Sequence, residues 1–273
     1  MELWFPTSYD QLENLPPVQR LEQAIDAAEY HRIPVDTHSP LFTEALVDLS
    51  DFAIAGEPFY NISDGSNAPY GQKLDGSIPK LLVRTTIARM LQEANARLAP
   101  LGLELFVWDA YRPIETQGGI WAFFENLQRQ RDPLPSEDEI YSEVIKYVSD
   151  PRSFDAENPL TWPTHMTGAS IDLTLREKGS LRLLDMGGAF DQMDETSNTG
   201  YYETLFAKGA IGPDHRGLLH RRLLFHAMAI TGFTNYPFES WHFDWGNQMN
   251  SLVGSIFLRQ PAHAAGYGIV TLD

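Results

Sequence analysis

A chain of 273 residues, 43% of them hydrophobic and 21% charged, can bury a packed core in one large domain or in one domain with an extension. Its 37 acidic residues against 20 basic ones give a formal charge of −17, and with no Lys/Arg run such a surface repels a phosphate backbone, so no nucleic acid partner is expected. Cysteine is absent, which removes disulfides and thiolate metal sites and leaves histidine and carboxylate as the ligands open to a transition metal.

The first residues lack a basic stretch followed by an apolar one, and no apolar run reaches the roughly 20 residues of a membrane helix. A cytoplasmic protein with no membrane partner is therefore expected. After Pro16-Pro17, the residues Leu21, Ile25 and Ala28 recur at helical spacing and predict a helix through VQRLEQAIDAAEYHR. A second apolar stretch, LFTEALVDLSDFAIAG, ends at Gly56, and residues 60–79 are rich in turn formers. The expected organisation is a helical N-terminal extension over 1–65 and a main body over 66–273.

The body opens with KLLVRTTIARMLQEANARLAPLG, an amphipathic helical pattern stopped by Pro100 and Gly102. Leu103 to Trp108 reads as a short strand that breaks at Asp109 and hands over to a helix at Pro113, since proline suits a first helical position. Helical patterns continue through Ile120–Gln130 and Glu137–Val148, the second behind an acidic start that favours the macrodipole. From Ala169 to Leu175 the period becomes two, with polar Ser170, Asp172 and Thr174 alternating with Ile171, Leu173 and Leu175, as in a strand with one buried face. A turn-rich stretch then leads to a helix around Gly217–Thr231, and the alternation in Trp241–Trp245 places His242 and Asp244 on one face. Helices flanking a few strands predict an α+β fold.

Three pieces carry chemistry. Asp172 lies in an apolar strand, where an unpaired carboxylate is costly and a metal ion or buried cation removes the cost. Spacing alone leaves a plain alternative, with Asp172 paired to a core arginine and His165 a loop residue. In Glu239-Ser-Trp-His242, the histidine sits on the polar face of an aromatic strand. His165, Asp172 and His242 would give three ligands and leave one position open, the pattern of catalytic rather than structural zinc, with Glu239 free to take a proton. Arg112, at a strand end in Trp108–Pro113, could donate twice to an oxyanion, or form an ion pair with Asp109. His215, His220 and His226 do not share one ligand face and are expected to be surface or packing residues.

Taken together, WDAYRP, THMTGASIDLTL, MGGAFD and FESWHFDW resemble the metallopeptidase family of D-alanyl-D-alanine dipeptidases of the vancomycin-resistance type. That family is related to zinc D,D-carboxypeptidases and to the hedgehog signalling domain. Its pattern, Ser-x-His-x-x-Gly-x-Ala-x-Asp followed late in the chain by Glu-x-x-His, falls on His165, Gly168, Asp172, Glu239 and His242. The resemblance runs from about Asn67 to Trp245. It implies a small antiparallel sheet that carries a zinc site and is flanked by helices. It further implies one Zn2+ per chain on His165, Asp172 and His242, Glu239 as catalytic base, Arg112 steadying the transition state, and Asp191 holding the substrate ammonium. The implied reaction is hydrolysis of a small dipeptide such as D-Ala-D-Ala by metal-bound water. The alternatives are a D,D- or L,D-carboxypeptidase acting on longer wall peptides and a non-catalytic zinc-binding module. The chain departs from the pattern at Pro163, Ser170 and Ser240, where the family has Ser, Ala and Trp. A family tyrosine near the substrate amino end has no counterpart after Asp75-Gly76.

Overall fold

The computed structural model describes residues 4–145 and 148–272. Its centre is a five-stranded sheet in the order β2-β4-β5-β7-β6, made of Ala55–Gly56, Leu103–Asp109, Ser170–Glu177, His242–Asp244 and Thr234–Asn235 respectively. Every neighbouring pair is antiparallel except β2 with β4. A separate antiparallel pair joins β1 (Leu46–Asp48) to β3 (Leu82–Arg84). The fold is α+β, as the mixture of periods predicts.

One face of the sheet packs against helices α1 (Thr85–Leu98) and α5 (Arg216–Ile230). Ile87, Ala88, Leu91, Ala94 and Leu98 repeat every three to four residues along α1 and are buried with Leu105, Ile171, Leu223 and Ala227 in the main core. A second cluster packs Ile120 and Trp121 of α2 (Ile114–Arg129) and Ile140 of α3 (Glu137–Val144) against Phe59, Tyr60 and Tyr70. The acidic start at α3 is a capping box between Ser136 and Glu139. Helices α4 (Tyr201–Ala207) and α6 (Gln248–Leu258) complete the chain. No helix of the described residues is long and apolar enough to cross a membrane.

Four expectations need correction. The N-terminal segment is not α-helical among its described residues; 18–32 contains only a 3-10 turn, Ala27–Arg32. Of the pattern's three residues Leu21 and Ile25 are buried and Ala28 is exposed, and the backbone here finds partners elsewhere, as in Val18 N–H donating to Glu203 Oε1 at 2.9 Å. Residues 46–48 and 55–56 are strands, because β2 can pair with β4 and β1 with β3. The pattern predicted as a helix over 80–102 begins with β3, and α1 starts only at Thr85. Finally, β5 is buried on both faces from Ser170 to Leu175, since its polar face is covered by the site.

Candidate functional site

The site is built on three adjacent strands. Pairing of β5 with β7 sets Asp172 opposite His242, and a shift in register between Val107 and Asp109 sets Asp109 opposite Asp172 on the other side. His165 comes from a 3-10 turn, Thr164–Thr167, which ends at Gly168 with φ of 67°. A Cβ at Gly168 would press only on the movable end of Leu46, so the turn into β5 favours glycine for its left-handed conformation.

His165, Asp172 and His242 are all buried, and one ligand atom of each lies within 4.8 Å of the others. Their hydrogen bonds fix which atoms face inward. His165 Nδ1 lies 2.7 Å from Ala110 O, so Nδ1–H donates there and Nε2 carries the lone pair. His242 Nε2 lies 3.0 Å from Asp244 Oδ2, which leaves Nδ1 facing His165 Nε2 at 3.2 Å and Asp172 Oδ1 at 2.9 Å. Two imidazole lone pairs and a carboxylate oxygen thus converge on one point, and such a set needs a positive charge between its members. The electrostatics agree: against burial, Asp244 and Asp172 hold the His242 imidazolium well above its ordinary range, while His165 and His242 hold Asp172 below the carboxylate range. A proton can meet the demand in the metal-free chain. A divalent cation suits this N, N, O donor set in its place.

The supports behind the cluster are themselves tied. Asp244 Oδ1 accepts from Ser170 Oγ at 2.6 Å and Asn247 Nδ2 at 2.7 Å, so the carboxylate that orients His242 cannot swing. Arg112 is held at each of its three nitrogens. Its Nε donates to Asp109 Oδ2 at 2.8 Å, Nη1 to Gln117 Oε1 at 2.9 Å, and Nη2 to Asp172 Oδ2 at 3.1 Å. The ion pair with Asp109 and the place beside the metal cluster are therefore compatible, and Asp172 does pair with a buried arginine as well.

Glu239 Oε2 lies 3.7 Å from His242 Nδ1, and its side chain is 27% exposed, toward the cavities it lines. Burial pushes its carboxyl up to about 8, with His242 pulling the other way. Asp191 stands in the left-handed region, φ 60°, and is buried. Its Oδ2 accepts from Tyr70 Oη at 2.5 Å and Tyr60 Oη at 3.2 Å. Burial raises it to about 6, against the pull of the Tyr70 hydrogen bond and Arg112.

All six residues singled out in the sequence, His165, Asp172, His242, Glu239, Arg112 and Asp191, line one cavity of about 370 Å³. Sequence reasoning missed Tyr60 and Tyr70, having sought a tyrosine only after Asp75-Gly76. The aromatic run in 59–70 was the available signal. The shared face of His242 and Asp244 was legible, but not that Asp244 orients the ring. His215, His220 and His226 are packing residues: His215 caps α5, His220 bonds Asp185 O and His226 bonds Pro16 O.

Comparison with known proteins gives the same direction. The D-Ala-D-Ala dipeptidase family of M15 peptidases matches residues 70–261. A D-alanyl-D-alanine dipeptidase of Synechocystis sp. is 33% identical over 193 residues, 67% of this chain and 76% of that protein. One from Enterococcus faecalis is 30% identical over 174 residues, 63% of this chain and 78% of that protein. Among solved structures, VanYB in complex with D-Alanine-D-Alanine has a TM-score of 0.41 at 14% identity, covering 72% of this chain and 89% of that one. With most of its length matched and the His-Asp-His cluster in place, the chain belongs to the D-Ala-D-Ala dipeptidase family and is a metallopeptidase.

Proposed function

We propose that the protein is a zinc-dependent dipeptidase that hydrolyses D-Ala-D-Ala or a similar D-residue dipeptide. The observation that carries this reading is the convergence of His165 Nε2, His242 Nδ1 and an Asp172 oxygen, with no donor among them unless protonated, beside the carboxyl of Glu239. His165, Asp172 and His242 would hold one zinc per chain. Zinc, when bound, supplies a Lewis acid for the scissile carbonyl and lowers the pKa of a coordinated water.

The chain's own residues do the rest. Glu239, as the carboxylate, takes a proton from the attacking water, its burial making it a stronger acceptor, and the acid so formed hands the proton to the leaving amine. Arg112, held by Asp109, Gln117 and Asp172, is a fixed guanidinium for charge developing on the carbonyl oxygen, with no reorganisation needed. Asp191 receives the substrate ammonium, and its two tyrosine donors hold the carboxylate in place.

A second reading has one observation in its favour. A further cavity of about 420 Å³ shares Asp191, Met193, Tyr236, Glu239 and Trp241 with the first, so a longer peptide could run past the amino end, as a D,D- or L,D-carboxypeptidase requires. A panel of D,D, L,D, D,L and L,L dipeptides decides between them when each is compared with its N-acetylated form and with a pentapeptide, metal content being measured on the same sample. The dipeptidase reading expects acetylation to cut kcat/KM at least about tenfold, the scale of a lost charge-assisted contact. Equal cleavage of the acetylated or longer peptide makes the enzyme a carboxypeptidase.

A further inference from the structure

Two separate apolar clusters contribute to the wall of the metal cavity. Tyr60, Ile120 and Val148 come from one, and Tyr60 holds Asp191. Tyr30 and Met249 come from the other, in which Leu21, Ile25 and Tyr30 pack on Met249 and Val253 of α6. The N-terminal contribution to that second wall is the turn Ala27–Arg32, which lies ahead of residue 70, where the family match begins.

The turn is anchored on several sides. Asp26 accepts from Ala28 N–H at its start, Tyr30 Oη donates to Trp162 O at 3.2 Å, and Gln248 Nε2 donates to Ile33 O at 2.7 Å. His31 lies against the ring of Tyr30, with centroids 3.9 Å apart, and lines the cavity. Its Nδ1 is buried and has no hydrogen-bond partner. A buried polar atom left unpaired in a cavity wall calls for an explanation, and a missing ligand is one. An imidazole can also turn about its Cβ–Cγ bond, so this nitrogen can face the cavity.

The charges of the cavity point to the kind of ligand. A peptide with a free C-terminus brings a carboxylate to a site crowded with Asp172, Asp191 and Glu239. Arg112 is held by protein partners at Nε, Nη1 and Nη2 and is assigned to the carbonyl oxygen, and His165 and His242 belong to the candidate metal cluster. Among the described residues, His31 is the remaining basic side chain that lines the cavity. It stands on the wall that the second cluster builds, whereas Asp191 is held by Tyr60 of the first.

We propose that the turn Ala27–Arg32 forms the subsite for the C-terminal residue of the substrate, with His31 donating a hydrogen bond to its carboxylate. This rests on the peptidase reading of the site, but it asks only for a free C-terminal carboxylate, which dipeptides and longer peptides share. A segment outside the family match therefore sets a specificity of this chain.

The test compares a dipeptide acid with its C-terminal amide in the wild type, His31→Ala and His31→Gln. The acid-to-amide ratio of kcat/KM falls at least about tenfold in His31→Ala, the size of one charge-assisted contact. His31→Gln, which keeps a donor, retains part of the preference. An unchanged ratio in His31→Ala, or an equal loss on acid and amide, overturns the proposal. A second measurement needs no turnover. The imidazole resonances of His31, assigned by their disappearance in His31→Gln, shift when D-alanine is added to the zinc-loaded protein and not when D-alaninamide is. A shift with both or with neither overturns the subsite. Failure of the wild type to cleave any peptide overturns the peptidase reading instead, and the resonance experiment still decides the role of His31.

Discussion

Glu239, partly exposed, and Asp191, buried, are two carboxyls in one cavity, and their surroundings suit them to different tasks. Glu239 lies 3.7 Å from a proposed zinc ligand without being part of the three-atom cluster. Glu239→Gln keeps the shape and removes the proton acceptor, so zinc measured on the purified variant stays near one per chain while kcat drops by roughly 100-fold or more. Loss of zinc along with activity would make Glu239 a ligand. Among the described residues Asp191 hydrogen-bonds two phenols and no basic side chain, and burial pushes it up to about 6. Because the shift is upward, the anion that an ammonium needs is complete only above that pH and is lost as pH falls through it. KM for a free dipeptide should therefore rise about tenfold per unit below pH 6, while an N-acetylated substrate shows no such limb. A flat KM between pH 5 and 7 would remove Asp191 from the ammonium site.

At the scale of elements, the candidate metal site follows from strand pairing. Alternation in 169–175 and in 241–245 put Asp172, His242 and Asp244 on polar faces, and the antiparallel register then sets Asp172 beside His242 and Ser170 beside Asp244. Both alternations are legible because a half-polar strand has a period of two whatever it packs against. The register itself is not, since it depends on partners far away in the chain. Nor is the shift at Trp108 that brings Asp109 to the site. The β5–β7 ladder gives Asp244 its purpose: Ser170 and Asn247 fix it, and it fixes the tautomer of His242. Asp244→Asn should keep the packing yet lower zinc affinity by about 10- to 100-fold, read by competition against a chelator of known affinity. Affinity within twofold of the wild type would mean that the ladder alone orients the ring.

For the whole molecule, the question is whether the segment ahead of residue 66 is an appendage. The motifs make it look like one, because they begin near Asn67 and the family match begins at residue 70. Its apolar spacing was readable in Leu21 and Ile25, but its structure was not: each short piece is stabilised by a distant partner, and local propensity does not decide such segments. Packing ties it to the body. Leu12, Leu15, Leu49 and Ile54 lie in the main core with Leu105 and Ile171, β2 pairs with β4, and Tyr60 reaches Asp191. Each fully buried side chain of that size contributes about 1.5–3 kcal/mol, so the four together supply roughly 6–12 kcal/mol, as much as the whole stability of a typical domain. Deleting residues 1–65 should therefore leave a chain that does not fold, not a smaller enzyme with altered specificity. The expected result is aggregation on expression, or a refolded product without a cooperative thermal transition. A soluble 66–273 fragment that melts cooperatively and binds zinc would show that the body folds alone and that the segment only completes the cavity.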